Sequence, residues 1–166
     1  MLAVPLVARR TEGVLGVLLA AGALLAVGPR PALLGLVWLA AVTPRLIAID
    51  VAEHRLPDRI VLPGLLVGLA EAVSAPVGLV AAAAYGGLLL LLHLVGGMGL
   101  GDVKLAPVLA LVAAAVEPAA AVAAPLAAFL VGGVVAVGVL VRHGPGTRMA
   151  FGPAMLLGAW IAVLLG

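Results

Sequence analysis

Apolar residues occur in seven long runs along the chain, separated by short breaks that are polar or rich in proline and glycine. In lipid, every backbone N–H and C=O must be hydrogen-bonded within its segment, so each run is predicted to form a membrane helix. The fold class is therefore all-α, a polytopic membrane bundle of about seven helices. The predicted segments are roughly 13–28, 31–48, 60–75, 77–95, 103–117, 119–141 and 149–165.

The shorter runs leave the number of spans open. A helix rises about 1.5 Å per residue, so a segment such as 103–117 extends roughly 22 Å, less than the roughly 30 Å hydrocarbon core. Flanking residues or local thinning of the bilayer must make up the difference. Six spans therefore remain an alternative to seven.

Composition supports the membrane assignment. Hydrophobic residues make up 66% of the 166 residues and charged residues only 10%, whereas soluble domains contain about 25% charged residues. The chain has no cysteine, which excludes disulfides, thiolate metal sites and cysteine nucleophiles. Few aromatic residues and no block of basic residues argue against binding nucleic acid. We expect one membrane-embedded domain over residues 1–166 with the lipid bilayer as its surroundings; the sequence leaves its oligomeric state open.

The basic residues predict the orientation. With seven spans, only Arg30 lies on one side of the membrane, and the other eight of the nine Lys and Arg residues lie on the opposite side. The excess of positive charge marks the cytoplasmic side. These eight residues are Arg9, Arg10, Arg45, Arg55, Arg59, Lys104, Arg142 and Arg148.

Two polar islands on this cytoplasmic side each carry an aspartate at a membrane boundary, where a carboxylate is costly to desolvate. Asp50 ends the second predicted span, and Asp102 opens the fifth. A solvated helix end would explain Asp50 alone, and an N-cap would explain Asp102 alone. Two carboxylates that meet in a bundle could instead activate a water for hydrolysis.

Four residues near the two aspartates are candidates for binding a substrate or shaping the loop: Gly99, Gly101, Asp58 and Lys104. Asp58 and Lys104 also have simpler candidate roles. Asp58 follows a proline and is predicted to cap the third helix. Lys104 is predicted first to anchor to a lipid phosphate and second to modulate the charge of Asp102. Gly99 and Gly101 belong to a run of four glycines in residues 96–101, which permits sharp bends and close approach of another chain, such as an extended substrate.

Other catalytic classes lack their motifs. The sequence contains no Ser-His-Asp arrangement and no H-E-x-x-H. His93 lies within a predicted span, and no ligand spacing around it indicates a metal. We expect neither a metal nor another cofactor.

Three motifs in this order resemble the type IV prepilin peptidases, which are membrane aspartyl proteases. In chain order, residues 50–58 read D-x5-LPD, residues 99–102 form a GxGD motif, and residues 151–153 read FGP before an apolar helix. The resemblance implies that Asp50 and Asp102 are the catalytic pair. It also implies a prepilin of type IV pili, or a pseudopilin of type II secretion, as substrate. The basic leader would be cut after glycine at the cytoplasmic face of the bacterial inner membrane.

This chain differs from the longer members of the family, and two alternative functions remain. Longer members have a cysteine-containing N-terminal domain associated with methylation of the new N-terminus; this chain resembles the short form, so methyltransferase activity is not expected. Presenilin-like proteases share the GxGD motif and would act on other membrane proteins. A small-solute carrier would place its polar residues near mid-bilayer in repeated halves, whereas both aspartates are predicted at one surface.

Overall fold

The computed structural model describes residues 6–27, 32–144, 147 and 149–165, and within them the chain is all-α. Residues 28–31, which include Arg30, lie outside the described residues. Each of the seven predicted segments contains a helix, so the predicted fold class is confirmed. In chain order the helices are α1 Leu6–Val27, α2 Leu33–Glu53, α3 Asp58–Glu71, α4 Val77–Leu94, α5 Leu100–Val116, α6 Pro118–His143 and α7 Gly152–Leu165.

Three of these helices are long and apolar enough to cross a membrane: Leu33–Glu53, Val77–Leu94 and Ala120–His143. The others are shorter or carry more charge. Helix α2 continues five residues past the predicted segment 31–48, and this extension includes Asp50. Helix α5 likewise begins three residues before the predicted segment 103–117 and includes Asp102. The predicted segments contained only the apolar runs, so they left out the polar residues at these two helix ends.

Helix α5 lies at the centre of the bundle. Residues 108–114 are buried on every side of the helix, as expected for a helix that is apolar all round. Helices α3, α4, α6 and α7 pack against it, whereas α1 packs mainly against α2. The first turn of α5 lies at the polar end of the bundle. Because the rest of the helix is buried among its neighbours, this first turn is held in place.

Small residues bring the helices close together. A Cβ at Gly158 of α7 would meet the backbone of α6 at Ala128, so these two helices touch almost backbone to backbone. Two pairs of adjacent glycines lie within helices, at residues 86–87 in α4 and 132–133 in α6. In each pair only the first glycine faces a neighbour: Gly86 faces Pro107, and Gly132 faces Phe151. Their sequence partners at 87 and 133 have nothing within 4 Å of an added Cβ.

The surface of the bundle is apolar. Helix α6 in particular exposes large hydrophobic side chains along most of its length, among them Val122, Leu126, Leu130, Val134 and Val141. Soluble monomers rarely expose contiguous apolar patches of this kind, so the exposed face fits a lipid environment.

A buried carboxyl joins two helices at the end of the bundle away from the aspartates. Glu71, the last residue of α3, is buried, and its Oε1 accepts the backbone N–H of Gly35 at 2.7 Å. Gly35 lies in the first turn of α2, where N–H groups have no partner within the helix. The Glu71 carboxyl therefore caps α2 from a different helix.

We expect Glu71→Ala to lower the free energy of unfolding by about 1–3 kcal/mol, because the Gly35 N–H would be left buried without a partner. Glu71→Gln keeps an acceptor oxygen in the same place and should unfold close to the wild-type temperature. Thermal unfolding of the two variants in detergent measures the difference. Equal unfolding temperatures for Glu71→Ala and the wild type would contradict the capping role.

Candidate active site

A pocket of about 560 Å³ opens at the end of the bundle where α2 ends and α5 begins. Three parts of the chain line it: the end of α2, the glycine-rich loop with the start of α5, and the segment before α7. Both Asp50 and Asp102 are among its lining residues. The two polar islands of the sequence therefore contribute to one site. The lining residues are Asp50, His54, Gly96, Gly97, Met98, Gly99, Asp102, Thr147, Met149, Ala150 and Phe151.

Asp50 lies in the last turn of α2, and its side chain is only 5% exposed. Its Oδ2 accepts the backbone N–H of Gly152 at 2.9 Å, a contact between residues far apart in sequence. His54, which follows the last residue of α2, has a φ of 51° in the left-handed region, and the chain turns away from the helix there. A solvated helix end, the simplest sequence interpretation, is therefore wrong for Asp50.

Asp102 lies in the first turn of α5 and is also buried. The N-cap position of this helix is Gly99, three residues earlier. Asp102 precedes the apolar segment 103–117. The pKa of its carboxyl is raised to about 6, mainly by burial and also by the negative charge of Asp50, and the N–H of Gly99 offsets part of this rise. Two neighbouring carboxyls that cannot both ionise cheaply suit a reaction that needs one acid and one base.

The glycines of the GxGD motif allow close contacts. A Cβ at Gly101 would lie 3.0 Å from the Cβ of Leu56 and 3.1 Å from its backbone N, so the start of α5 packs directly on the D-x5-LPD motif. A Cβ at Gly99 would lie 3.1 Å from Oδ2 of Asp102. Gly96 has a φ of 89°, a conformation that glycine adopts at little cost. These contacts shape the loop from within the chain; contact with a substrate stays a prediction.

The capping role predicted for Asp58 needs correction, and Lys104 has a partner that the sequence did not indicate. Pro57 occupies the N-cap position of α3, and no side chain caps this helix. Asp58 is the first helical residue, and its carboxylate binds the ammonium group of Lys104 at 2.8 and 3.0 Å. Lys104 is thus paired with a carboxylate of its own chain, and its predicted contact with a lipid phosphate stays a prediction. The ion pair joins the two motifs beside the pocket.

Three further residues make contacts at or near the site that the sequence analysis did not predict: Gly152, His93 and Tyr85. Gly152 belongs to the FGP motif, which drew attention only as part of a resemblance. His93 donates from Nδ1 to the carbonyl oxygen of Met98 at 2.8 Å, because that oxygen can only accept; this bond ties the glycine-rich loop to α4. Tyr85 is buried and interacts electrostatically with Asp102. It is the single tyrosine of the sequence, which is the one signal that could have singled it out.

The donor set of the site is oxygen-rich but small. Within the described residues, no group of three or more His, Cys, Asp and Glu side chains could hold a metal ion. The arrangement supplies two carboxyls, backbone N–H groups and a nearby imidazole at His54. Such a set can accept and donate protons at a bound carbonyl or water.

We expect the Asp58–Lys104 pair to contribute little to stability, since both side chains are partly exposed to the surroundings. Exposed ion pairs contribute roughly 0.2–1 kcal/mol. A double-mutant cycle of Asp58→Asn and Lys104→Gln, followed by thermal unfolding, should give a coupling energy in that range. Strictly additive effects would contradict a direct interaction between the two motifs.

Comparison with known proteins agrees with this geometry. The type IV leader peptidase family matches residues 33–141, a range that contains both aspartates and the Asp58–Lys104 pair. Searches of curated proteins and of solved structures returned no match. The family match covers well over half of the chain, from the start of α2 to the last turns of α6. This chain is therefore a peptidase of the type IV leader peptidase family.

Proposed function

We propose that the chain is an aspartic endopeptidase that removes the short basic leader from type IV prepilins or pseudopilins. The observation that carries the proposal is the shared pocket, which is lined by two buried aspartates from separate motifs and by a glycine-rich loop. The family match supports peptide-bond hydrolysis. The three ordered motifs support the substrate class.

The two carboxyls supply both proton transfers of the hydrolysis. The ionised carboxylate takes a proton from water as the water oxygen attacks the scissile carbonyl carbon, and the protonated carboxyl gives its proton to the carbonyl oxygen. When the tetrahedral intermediate collapses, the first carboxyl passes its new proton to the leaving amine. The second carboxyl takes back the proton of the hydroxyl that becomes the new carbonyl. Both groups return to their starting states.

The position of the pocket suits a substrate that is half in the membrane. The pocket opens at the end of the bundle, next to the apolar outer surface that α4 and α6 expose. A prepilin-type substrate has a basic leader followed by an apolar helix, so the helix would remain in lipid while the cleavage site enters the pocket. The charge asymmetry of the sequence supports placing this end at the cytoplasmic face of a bacterial inner membrane.

The loop 96–99 offers a backbone surface to an extended peptide. Its glycines carry no side chains that would hold a substrate away, and three of them line the pocket. Main-chain hydrogen bonds to an extended segment are a common mode of peptide recognition. We propose that the residues around the scissile bond lie along this loop.

Asp50→Asn and Asp102→Asn should each abolish cleavage of a prepilin-type peptide, with a basic leader, a glycine at the cleavage site and a following apolar helix. An amide can neither accept nor donate the required proton, and a loss of about 10²–10⁴-fold is expected. Mass spectrometry of peptide incubated with purified protein in detergent measures the product. The matched control is Glu117→Gln, which changes an exposed acidic residue between α5 and α6 and should cleave like the wild type.

Two outcomes would contradict the proposal. Wild-type activity in either aspartate variant would remove that residue from the mechanism. Cleavage within the apolar helix, regardless of the leader, would instead indicate a presenilin-like intramembrane protease.

A further inference from the structure

The start of α7 reaches into the site from a part of the chain beyond the family match at 33–141. The backbone N–H of Gly152, the first residue of α7, donates to Oδ2 of Asp50 in a buried hydrogen bond. The first N–H groups of a helix have no partner inside the helix and lie at the positive end of its dipole. An ionised carboxylate is the acceptor that such an N–H binds most strongly.

Glycine is required at this contact because of space. A Cβ at position 152 would lie 2.6 Å from Oδ2 of Asp50 and 3.1 Å from its Cγ. Any other residue would push the carboxylate away from the N–H or shift the start of α7. The close fit indicates that the position of Asp50 depends on a bare backbone at residue 152.

Helix α7 is itself fixed, so the N–H at its start is held in place. The Trp160 indole N–H donates to the hydroxyl of Thr43 on α2 at 3.1 Å, and this hydroxyl donates to the carbonyl oxygen of Leu39. Just before α7, the ring of Phe151 packs against Phe129 of α6 with 5.5 Å between ring centroids. Helix α7 is thus joined to α2 at two points, through Trp160 and Thr43 and through Gly152 and Asp50.

The surroundings of Asp102 differ from those of Asp50. The backbone group that acts on its carboxyl belongs to Gly99, the N-cap of its own helix, and its titratable neighbours are Asp50 and Tyr85. For Asp50, the titratable groups that act on it within the described residues are Asp102 and His54. A protonated His54 would favour a negative charge on Asp50, in the same direction as the helix end.

We propose that Gly152 is a positioning residue of the catalytic pair, whose N–H keeps Asp50 as the ionised member and leaves the shared proton on Asp102. The consequence for catalysis rests on the proposed peptidase function. Asp50 then acts as the general base that takes the proton of the attacking water. Asp102 is the general acid that protonates the carbonyl oxygen of the scissile bond.

The order of ionisation can be measured without any substrate. The sequence contains three aspartates, Asp50, Asp58 and Asp102, so labelling the protein with [13Cγ]aspartate gives three carboxyl resonances. Single Asp→Asn variants assign them. In an NMR titration of the purified protein in detergent, Asp50 should ionise at lower pH than Asp102.

The variant Gly152→Ala should raise the pH at which Asp50 ionises. The difference between the pH values at which Asp50 and Asp102 ionise should become smaller or change sign. With a prepilin-type peptide, its kcat should fall on the order of 100-fold, as expected for a misplaced catalytic group. The KM should change little, and the acidic limb of the pH–rate profile should move to higher pH. A general loss of folding would lower the rate at every pH but would not move the acidic limb of the profile. Gly133→Ala on α6, where an added Cβ meets nothing within 4 Å, is the matched control and should behave like the wild type.

Two results would overturn the proposal: ionisation of Asp102 before Asp50 in the wild type, or a Gly152→Ala variant with wild-type ionisation order and kcat. The titration also separates this proposal from the proposed function. If Asp50 ionises first and Gly152→Ala changes the order, but the wild type cleaves no prepilin-type peptide, the positioning role stands and the substrate assignment fails.

Discussion

The structure depends on the burial of two carboxyls at one end of an apolar bundle. Asp50 and Asp102 are each less than a tenth exposed, and a buried charge is unfavourable unless hydrogen bonds or partners compensate it. The compensation comes from backbone N–H groups at helix starts: Gly152 at the start of α7 for Asp50, and Gly99 at the start of α5 for Asp102. The ends of the helices are thus arranged around the two acids.

The remainder of the bundle holds these helix ends in place. The buried centre of α5 fixes the direction from which Asp102 enters the pocket. The contact of Gly101 with Leu56 and the ion pair of Asp58 with Lys104 join the two motifs directly. At the opposite end, Glu71 caps α2 from α3. These contacts hold the helix ends that carry the two carboxyls.

Much of the fold could be predicted from the sequence because lipid allows few backbone solutions. Seven apolar runs gave seven helices, and the two polar islands were expected on one side. The boundaries were less accurate where polar residues continue a helix, as in the last turns of α2. Hydropathy cannot distinguish a charged helical turn from a loop, so the sequence placed Asp50 and Asp102 at helix ends but not within the helical turns that contain them.

The contacts of the site were harder to predict because they join residues far apart in sequence. The pairing of Lys104 with Asp58 was missed because local sequence suggested a cap and a lipid anchor, each sufficient alone. The contact from Gly152 to Asp50 uses a backbone N–H, which every residue but proline carries, so the residue type gave no signal. The imidazole of His93 was considered as a metal ligand, whereas it fixes the loop through the Met98 carbonyl.

The central claim is that Asp50 and Asp102 share one pocket, which we propose opens to the cytoplasm. The natural chain has no cysteine, so the double variant Asp50→Cys/Asp102→Cys can be tested with a short, charged bifunctional thiol reagent that does not cross membranes. We predict rapid intramolecular cross-linking in inverted membrane vesicles and little in intact cells. The control pair Asp50→Cys/Ser74→Cys, with its second thiol beyond the far end of α3, should not be cross-linked. Cross-linking no faster than in this control, or faster in intact cells than in inverted vesicles, would contradict the account.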